Sequence, residues 1–231
     1  MHEHPSIHGP PSLPVMLRLE GRRCVIVGGG AVAARRAAAL VECGAEVVVV
    51  APSMDEMLDR LLIERRDRGY AASDLDGAFL VVIATDDPDL NHRVAADAKE
   101  LEVLINRADD ADAADAGDLT VMGHDRRGQL TVAVDTGRAS AAASKAIRKE
   151  LVDQLDPDWI ALLDAARPWR SRLKAAALAP GERTARLRRL TDAAAMHILK
   201  DSGAAALGEH LQRVADGRSG SGGDSGAGET L

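Results

Sequence analysis

CVIVGGGAVA, residues 24–33, is the stretch that decides the fold of this 231-residue chain. A run of apolar, mostly β-branched residues ends in three glycines, and an alanine-rich segment follows, which predicts a strand, a tight turn and a helix. The glycines and Ala33 form the pattern GxGxxA. In that pattern Gly28 permits the tight turn, Gly30 lets the backbone approach a pyrophosphate, and Ala33 lets helix and strand pack closely. The stretch predicts a nucleotide-binding turn, with a glycine turn that binds nothing as the alternative.

Strands and helices alternate on both sides of this turn. The predicted strands are Arg23–Val27, Glu46–Val50, Phe79–Ala84 and Val103–Ile105. The predicted helices are Ala31–Cys43, one that Ser53 starts with Glu56 in a capping box, and one from Asp87-Pro88 to about Glu100. This order predicts an α/β fold, a Rossmann-type parallel sheet covered by helices.

The residues around the turn favour NAD over NADP as the cofactor. The second strand ends in Val50-Ala51-Pro52-Ser53, without the acidic residue that usually holds the adenosine ribose, so Ser53 is the candidate for that contact. No basic cluster follows at once to hold a 2′-phosphate. Thr85 follows the third strand, at the edge where parallel sheets bind ligands. The predicted cofactor-binding residues are Gly28, Gly29, Gly30, Ala31, Val32, Pro52, Ser53, Thr85 and Asp86.

An acidic loop follows the fourth predicted strand. Five aspartates lie between Asp109 and Asp118, directly after Asn106-Arg107-Ala108. Because crowded carboxylates resist joint ionisation, such a loop could hold a general base with a raised pKa. A solvated acidic loop is the better interpretation for most of the five, and no metal site is predicted.

The second half of the chain is predicted to be a short hairpin followed by helices. Two strands, Leu119–Met122 and Leu130–Val134, flank the polar turn His124–Gly128. Ser140 caps a helix that ends near Leu155. The alanine-, leucine- and arginine-rich sequence beyond it predicts further helices up to about residue 215, with breaks near Pro168 and Pro180-Gly181.

Composition and charge narrow the classes of partner. Aromatic residues make up only 2% of the chain and the net charge is −7, which argues against stacking on nucleic acid bases and against polyanions. Residues 143–200 nevertheless carry 12 Lys and Arg against 7 Asp and Glu, which indicates an anionic ligand or a solvated basic helix face. No apolar run approaches the roughly 18 residues of a membrane span, and no signal peptide is read, so we expect a cytoplasmic protein without membrane or nucleic acid partners.

Several of these stretches together resemble one known family. Leu13–Leu17 followed by Gly21–Ala33, then Ala84–Ala95, Asn106–Asp109 and Leu130–Ser140, resemble the N-terminal family of siroheme synthases. The resemblance covers about residues 13–155. It implies an NAD-dependent precorrin-2 dehydrogenase and a homodimer. Some members are also sirohydrochlorin ferrochelatases, for which ferrous iron is a second substrate.

The resemblance also implies roles for individual residues. Asp109 matches the family's essential aspartate, so it is the expected catalytic carboxylate. Asn106, Thr136 and Ser140 are the expected substrate-binding residues by family match, and three basic residues near Ser140 are added because they can pair with substrate carboxylates: Lys145, Arg148 and Lys149. The chain departs from the family around this region, with Gly137-Arg138 where a pair of glycines is usual and Ala141 where proline is common.

The expected domain organisation follows from both lines of argument. It comprises a disordered N-terminus (1–12), an NAD-binding Rossmann domain (13–112), a dimerisation region (113–150), a helical C-terminal domain (151–216) and a flexible tail (217–231). Two other functions stay open at this point: a non-catalytic NAD-binding regulatory module, and an oxidoreductase for another small anionic substrate. A regulatory module needs neither Asp109 nor the basic block.

Overall fold

A computed structural model describes residues 12–108, 117–137 and 139–218, and it confirms the predicted α/β class. Contacts between residues group the chain into two compact units, Met1–Val121 and Met122–Leu231. The hairpin and the C-terminal helices fall into one unit, so the separate bounds given above for a dimerisation region and a helical domain stay predictions.

The first unit is built on a five-stranded parallel sheet with the strand order β3-β2-β1-β4-β5. The strands are β1 (Arg23–Val27), β2 (Glu46–Val50), β3 (Glu64–Arg66), β4 (Leu80–Ile83) and β5 (Leu104–Arg107), and the helices are α1 (Ala31–Glu42) and α2 (Pro88–Glu100). The central strands are buried on both faces, which explains their unbroken apolar sequences. The strand order reverses between β1 and β4, and ligands bind at such a switch point in open α/β sheets.

One prediction for this unit was wrong, and one strand was missed. Ser53 does not start a helix: the amide of Asp55 donates to the Gly29 carbonyl at 2.7 Å, and only Glu56–Arg60 forms a 3₁₀ helix, capped by Asp55. The edge strand β3 was not predicted, because its three residues are all charged and carry no apolar alternation.

The second unit contains an antiparallel hairpin and four helices. The hairpin strands are β6 (Gly123–Arg127) and β7 (Leu130–Val134), and the helices are α3 (Ala141–Asp153), α4 (Asp158–Ala175), α5 (Pro180–Arg189) and α6 (Ala193–Asp216). Helix α3 packs on the hairpin, and α4, α5 and α6 share a separate apolar core. Within the described residues, no helix is both long and apolar enough to cross a bilayer.

The predicted first hairpin strand and the predicted helix break at Pro168 were wrong. Leu119 lies against β5 instead, because its amide and its carbonyl both hydrogen bond there, and the tight turn falls at Gly128, whose φ is +55°. Pro168 lies inside α4, where Leu162, Ala166 and Leu173 pack into the core on both sides of it. That packing offsets the hydrogen bond that proline removes.

Candidate functional site

A crevice of about 480 Å³ lies at the carboxyl ends of β1, β2 and β4 in the first unit. All nine predicted cofactor-binding residues line it: Gly28, Gly29, Gly30, Ala31, Val32, Pro52, Ser53, Thr85 and Asp86. The structure therefore brings together three segments that lie up to 58 residues apart in the sequence. Their placement at the switch point is that of a dinucleotide site in a Rossmann fold.

The three glycines of the turn differ in what a side chain would meet at each position. Gly28 has a φ of +123°, and a Cβ there would overlap the carbonyl of Ala84, the residue directly after β4. A Cβ on Gly29 would overlap the Ser53 carbonyl. Gly30 has ordinary backbone angles, and a Cβ there would meet nothing within 4 Å. Packing within the protein thus explains the first two glycines, whereas Gly30 leaves space that opens into the crevice.

The start of α1 supplies donors to this space. Gly30 is the N-cap of α1 and offers no side chain to cap the helix. The first amides of a helix have no carbonyl partner within it, and the helix dipole adds positive potential there. Ala31 and Val32 at this end line the crevice, so the arrangement suits the pyrophosphate of a dinucleotide.

Thr85 is held in place by α2. Its hydroxyl donates to the Asn91 side-chain oxygen at 2.5 Å, and the Asn91 amide group donates back to the Thr85 carbonyl at 3.0 Å. Asn91 is buried, and Asp87 caps α2 through the amides of Asp89 and Leu90. These bonds set the position of the loop after β4 and leave the exposed Asp86 facing the crevice.

Sequence reasoning missed two of the larger side chains in the crevice, Tyr70 and Arg93. The Tyr70 hydroxyl donates to Asp97 at 2.9 Å, and the Arg93 guanidinium lies 5.9 Å from the centre of the Tyr70 ring. Burial, followed by the bond to Asp97, raises the pKa of Tyr70 above its usual value. No local motif marks Tyr70, because it follows an edge strand whose sequence has no strand pattern. Arg93 lies within the Ala84–Ala95 stretch, where the sequence pattern predicts no role for it.

Asp74 follows Tyr70 by four residues in the sequence, and its side chain is fully buried. Burial alone would raise its pKa, but hydrogen bonds from Arg68, the Ala71 amide and Arg66 outweigh it and hold the pKa well below its usual range. The carboxylate is therefore ionised in the folded protein, with its charge balanced by two guanidinium groups.

Asn106, the predicted substrate-binding residue of the first unit, lies near the carboxyl end of β5. Asn106 is buried and donates to the Leu119 carbonyl at 3.0 Å, and among the described residues its side-chain oxygen has no hydrogen bond partner. Asp118 accepts a hydrogen bond from the Ile105 amide at 2.9 Å. Asp109, the expected catalytic carboxylate, lies outside the described residues, as do Asp110, Asp112 and Asp115.

The predicted substrate residues of the second unit are distributed around α3. Ser140 caps α3 through the Ala143 amide, and the Thr136 hydroxyl donates to the Ser140 carbonyl at 3.2 Å. Arg148 is ion-paired with Asp125 on β6 and lies against Gly123. Lys145 and Lys149 are exposed on α3, and Lys149 forms an ion pair with Asp153 at 3.2 Å. Arg148 thus joins α3 to the hairpin, and the structure gives Lys145 no such role.

Comparisons with known proteins agree with this geometry. A family model for NAD(P)-binding domains matches residues 15–118. A siroheme synthase of Chromobacterium violaceum is 38% identical over 142 residues, 60% of this chain and 30% of that protein. A siroheme synthase of Azotobacter vinelandii is 35% identical over 166 residues, 70% of this chain and 35% of that protein. The chain thus spans about a third of the length of these relatives.

The fold is also found among solved structures. The protein named "SirC, precorrin-2 dehydrogenase" aligns with a TM-score of 0.69 and 23% sequence identity, covering 89% of this chain and all of that one. The sheet order, the glycine turn and the crevice define the chain as a Rossmann-type NAD(P)-binding protein. Within that class, its sequence is similar to siroheme synthases, at 35–38% identity over about a third of their length.

Proposed function

We propose that this chain is an NAD-dependent precorrin-2 dehydrogenase that forms sirohydrochlorin on the path to siroheme. The observation that carries the proposal is the dinucleotide crevice, lined by all nine residues expected to hold NAD, in a chain 35–38% identical to the siroheme synthases above. The basic stretch 143–200 supports a substrate that carries many carboxylates. Two free cysteines, Cys24 and Cys43, are in keeping with the reducing cytoplasm that we propose as its location.

The reaction removes one hydride and one proton from the substrate. NAD, when bound, supplies the hydride acceptor. The amides at the start of α1 would bind its pyrophosphate, and the Thr85–Asn91 pair holds the loop after β4 that lines the crevice. Asp109 accepts the proton as general base. Its place in the chain is two residues after β5, whose carboxyl end belongs to the ligand-binding edge of the sheet.

Turnover of precorrin-2 tests this proposal directly. Purified protein incubated with precorrin-2 and NAD is expected to change the visible spectrum to that of sirohydrochlorin, with one NADH formed per substrate. Ferrous iron added afterwards tests for a second, metal-inserting step. If NAD binds tightly but no NADH forms, the dehydrogenase proposal is wrong, and the regulatory module and the oxidoreductase for another small anionic substrate are the alternatives.

We also propose that the chain is a homodimer built through residues from about Leu119 to Leu155. An isolated two-stranded hairpin is marginal in water, and β6 and β7 pair only with each other among the described strands. Helix α3, which packs on the hairpin, leaves Ile147 and Leu151 44% and 47% exposed one turn apart. A second copy would bury these side chains.

Light scattering at micromolar concentration is expected to give about twice the 24.3 kDa chain mass. Replacing both Ile147 and Leu151 with Gln is expected to shift the protein toward the monomer, because it removes apolar contacts from the proposed interface. Leu62, which is 92% exposed in the first unit, provides the matched control: Leu62→Gln should leave the mass unchanged. A monomeric wild type would contradict the proposal.

A further inference from the structure

Two arginines come to the edge of the crevice through β3. Arg66, the last residue of β3, is the register partner of Val50, and its carbonyl accepts from the Ala51 amide at 3.2 Å. Arg68 donates to the carbonyl of Gly69 at 2.9 Å, and Gly69 lines the crevice. Both residues therefore lie beside the carboxyl end of β2, which is where Rossmann proteins bind the 2′ position of the adenosine ribose.

Both guanidinium groups are held by a single carboxylate. Arg66 donates a hydrogen bond to the Asp74 carboxylate at 2.5 Å, and Arg68 donates to both oxygens of that carboxylate, at 2.6 and 2.8 Å. The Ala71 amide also donates to this carboxylate, at 2.9 Å. Glu64 takes a further hydrogen bond from Arg66 at 2.8 Å. Arg66 thus donates to Asp74 and Glu64, and Arg68 donates to Asp74 and to the Gly69 carbonyl.

Two arginines at this position would otherwise make a 2′-phosphate site, since planar guanidinium groups bind phosphate with two parallel hydrogen bonds. We propose that Asp74 sets the preference for NAD over NADP by holding Arg66 and Arg68 in ion pairs, so that neither is available to a 2′-phosphate. Asp74 is a positioning residue in this proposal. The inference rests on the proposed NAD binding at the crevice and deepens it.

The burial of Asp74 makes this arrangement resistant to competition. A phosphate that drew the arginines away would leave a fully buried carboxylate without counter-charges, which is strongly unfavourable. The Arg66 and Arg68 side chains, by contrast, are 25% and 48% exposed, so they can reorient once the carboxylate charge is removed.

The test measures NADH and NADPH binding to the full chain by fluorescence titration. Asp74→Asn keeps the size of the side chain and removes its charge. We expect the affinity for NADPH, relative to that for NADH, to rise at least about tenfold, in line with charge-assisted hydrogen bonds. The gain should shrink as salt is added, because it depends on exposed charges.

Asp59→Asn is the matched control. Arg65 neighbours Arg66 on β3, and its ion-pair partners are Asp59 and Asp67. Asp59→Asn removes one of these two carboxylate charges, and it changes the net charge of the protein by the same amount as Asp74→Asn. Successive residues of a strand face opposite sides of the sheet, so this change should leave the NADPH to NADH ratio within twofold of the wild type. A rise equal to that of Asp74→Asn would show a general charge effect and overturn the proposal.

Arg68→Gln keeps the proposal testable if Asp74→Asn does not fold. Because Arg68 is ion-paired with Asp74 in the wild type, Arg68→Gln alone should change the ratio of NADPH to NADH affinity less than twofold. If Asp74→Asn does fold, adding Arg68→Gln to it should remove part of its gain in NADPH affinity. A specific loss of NADPH affinity in the single variant would show that Arg68 already binds the 2′-phosphate, contrary to the proposal. Failure of the wild type to bind either dinucleotide would instead contradict the proposed function.

Discussion

Gly30→Asp is expected to weaken NAD binding at least about a hundredfold while leaving the protein folded. The backbone angles at Gly30 suit any residue, and a Cβ there meets nothing within 4 Å. The new carboxylate would lie where α1 presents its first amides, against the pyrophosphate. Two like charges about 4 Å apart repel by roughly 4 kcal/mol at an effective dielectric constant of about 20. Titration calorimetry gives the affinity, and thermal unfolding gives the stability.

Gly28→Ala is the contrasting variant, and it should act on stability instead. Its Cβ would overlap the Ala84 carbonyl, and its φ of +123° disfavours any side chain. A loss of roughly 3 kcal/mol in the free energy of unfolding is expected from strain and overpacking together. If Gly30→Asp binds NAD like the wild type, or if the wild type binds NADP equally well, the cofactor assignment is wrong.

Asp109→Asn is expected to lower the turnover of precorrin-2 by at least about a hundredfold, the low end for a lost general base. The substitution keeps the size of the side chain and removes the proton acceptor. The affinity for NAD should stay nearly unchanged, because the residues that line the crevice are intact. Single-turnover measurements at saturating NAD separate the chemical step from cofactor binding.

Asp112→Asn is the control for the acidic loop, and it should lower the turnover of precorrin-2 by far less than tenfold. Both aspartates lie outside the described residues, so only kinetics distinguishes them here. If Asp109→Asn turns over like the wild type, Asp118 is the next candidate. Its carboxylate already accepts from the Ile105 amide, so a role in catalysis would have to combine with that structural bond.

Long buried elements could be predicted from the sequence because their periodicity and caps are local. β1 and β2 occur at their predicted bounds, and α2 starts after its Asp87 cap as predicted. Short polar elements could not be predicted. β3 is a strand only because its backbone pairs with β2, and a sequence of one glutamate and two arginines carries no sign of that pairing.

The sequence by itself determined the class of this protein, the glycine turn and the nine residues expected to hold the cofactor. These follow from spacing within single strand–turn–helix units, where each residue acts on its near neighbours. Only the tertiary structure decided that Tyr70 and Arg93 join the crevice and that Asp74 holds Arg66 and Arg68 beside the end of β2. The physical reason is that these contacts depend on strand order and on the burial of one carboxylate, and neither is encoded in any local pattern.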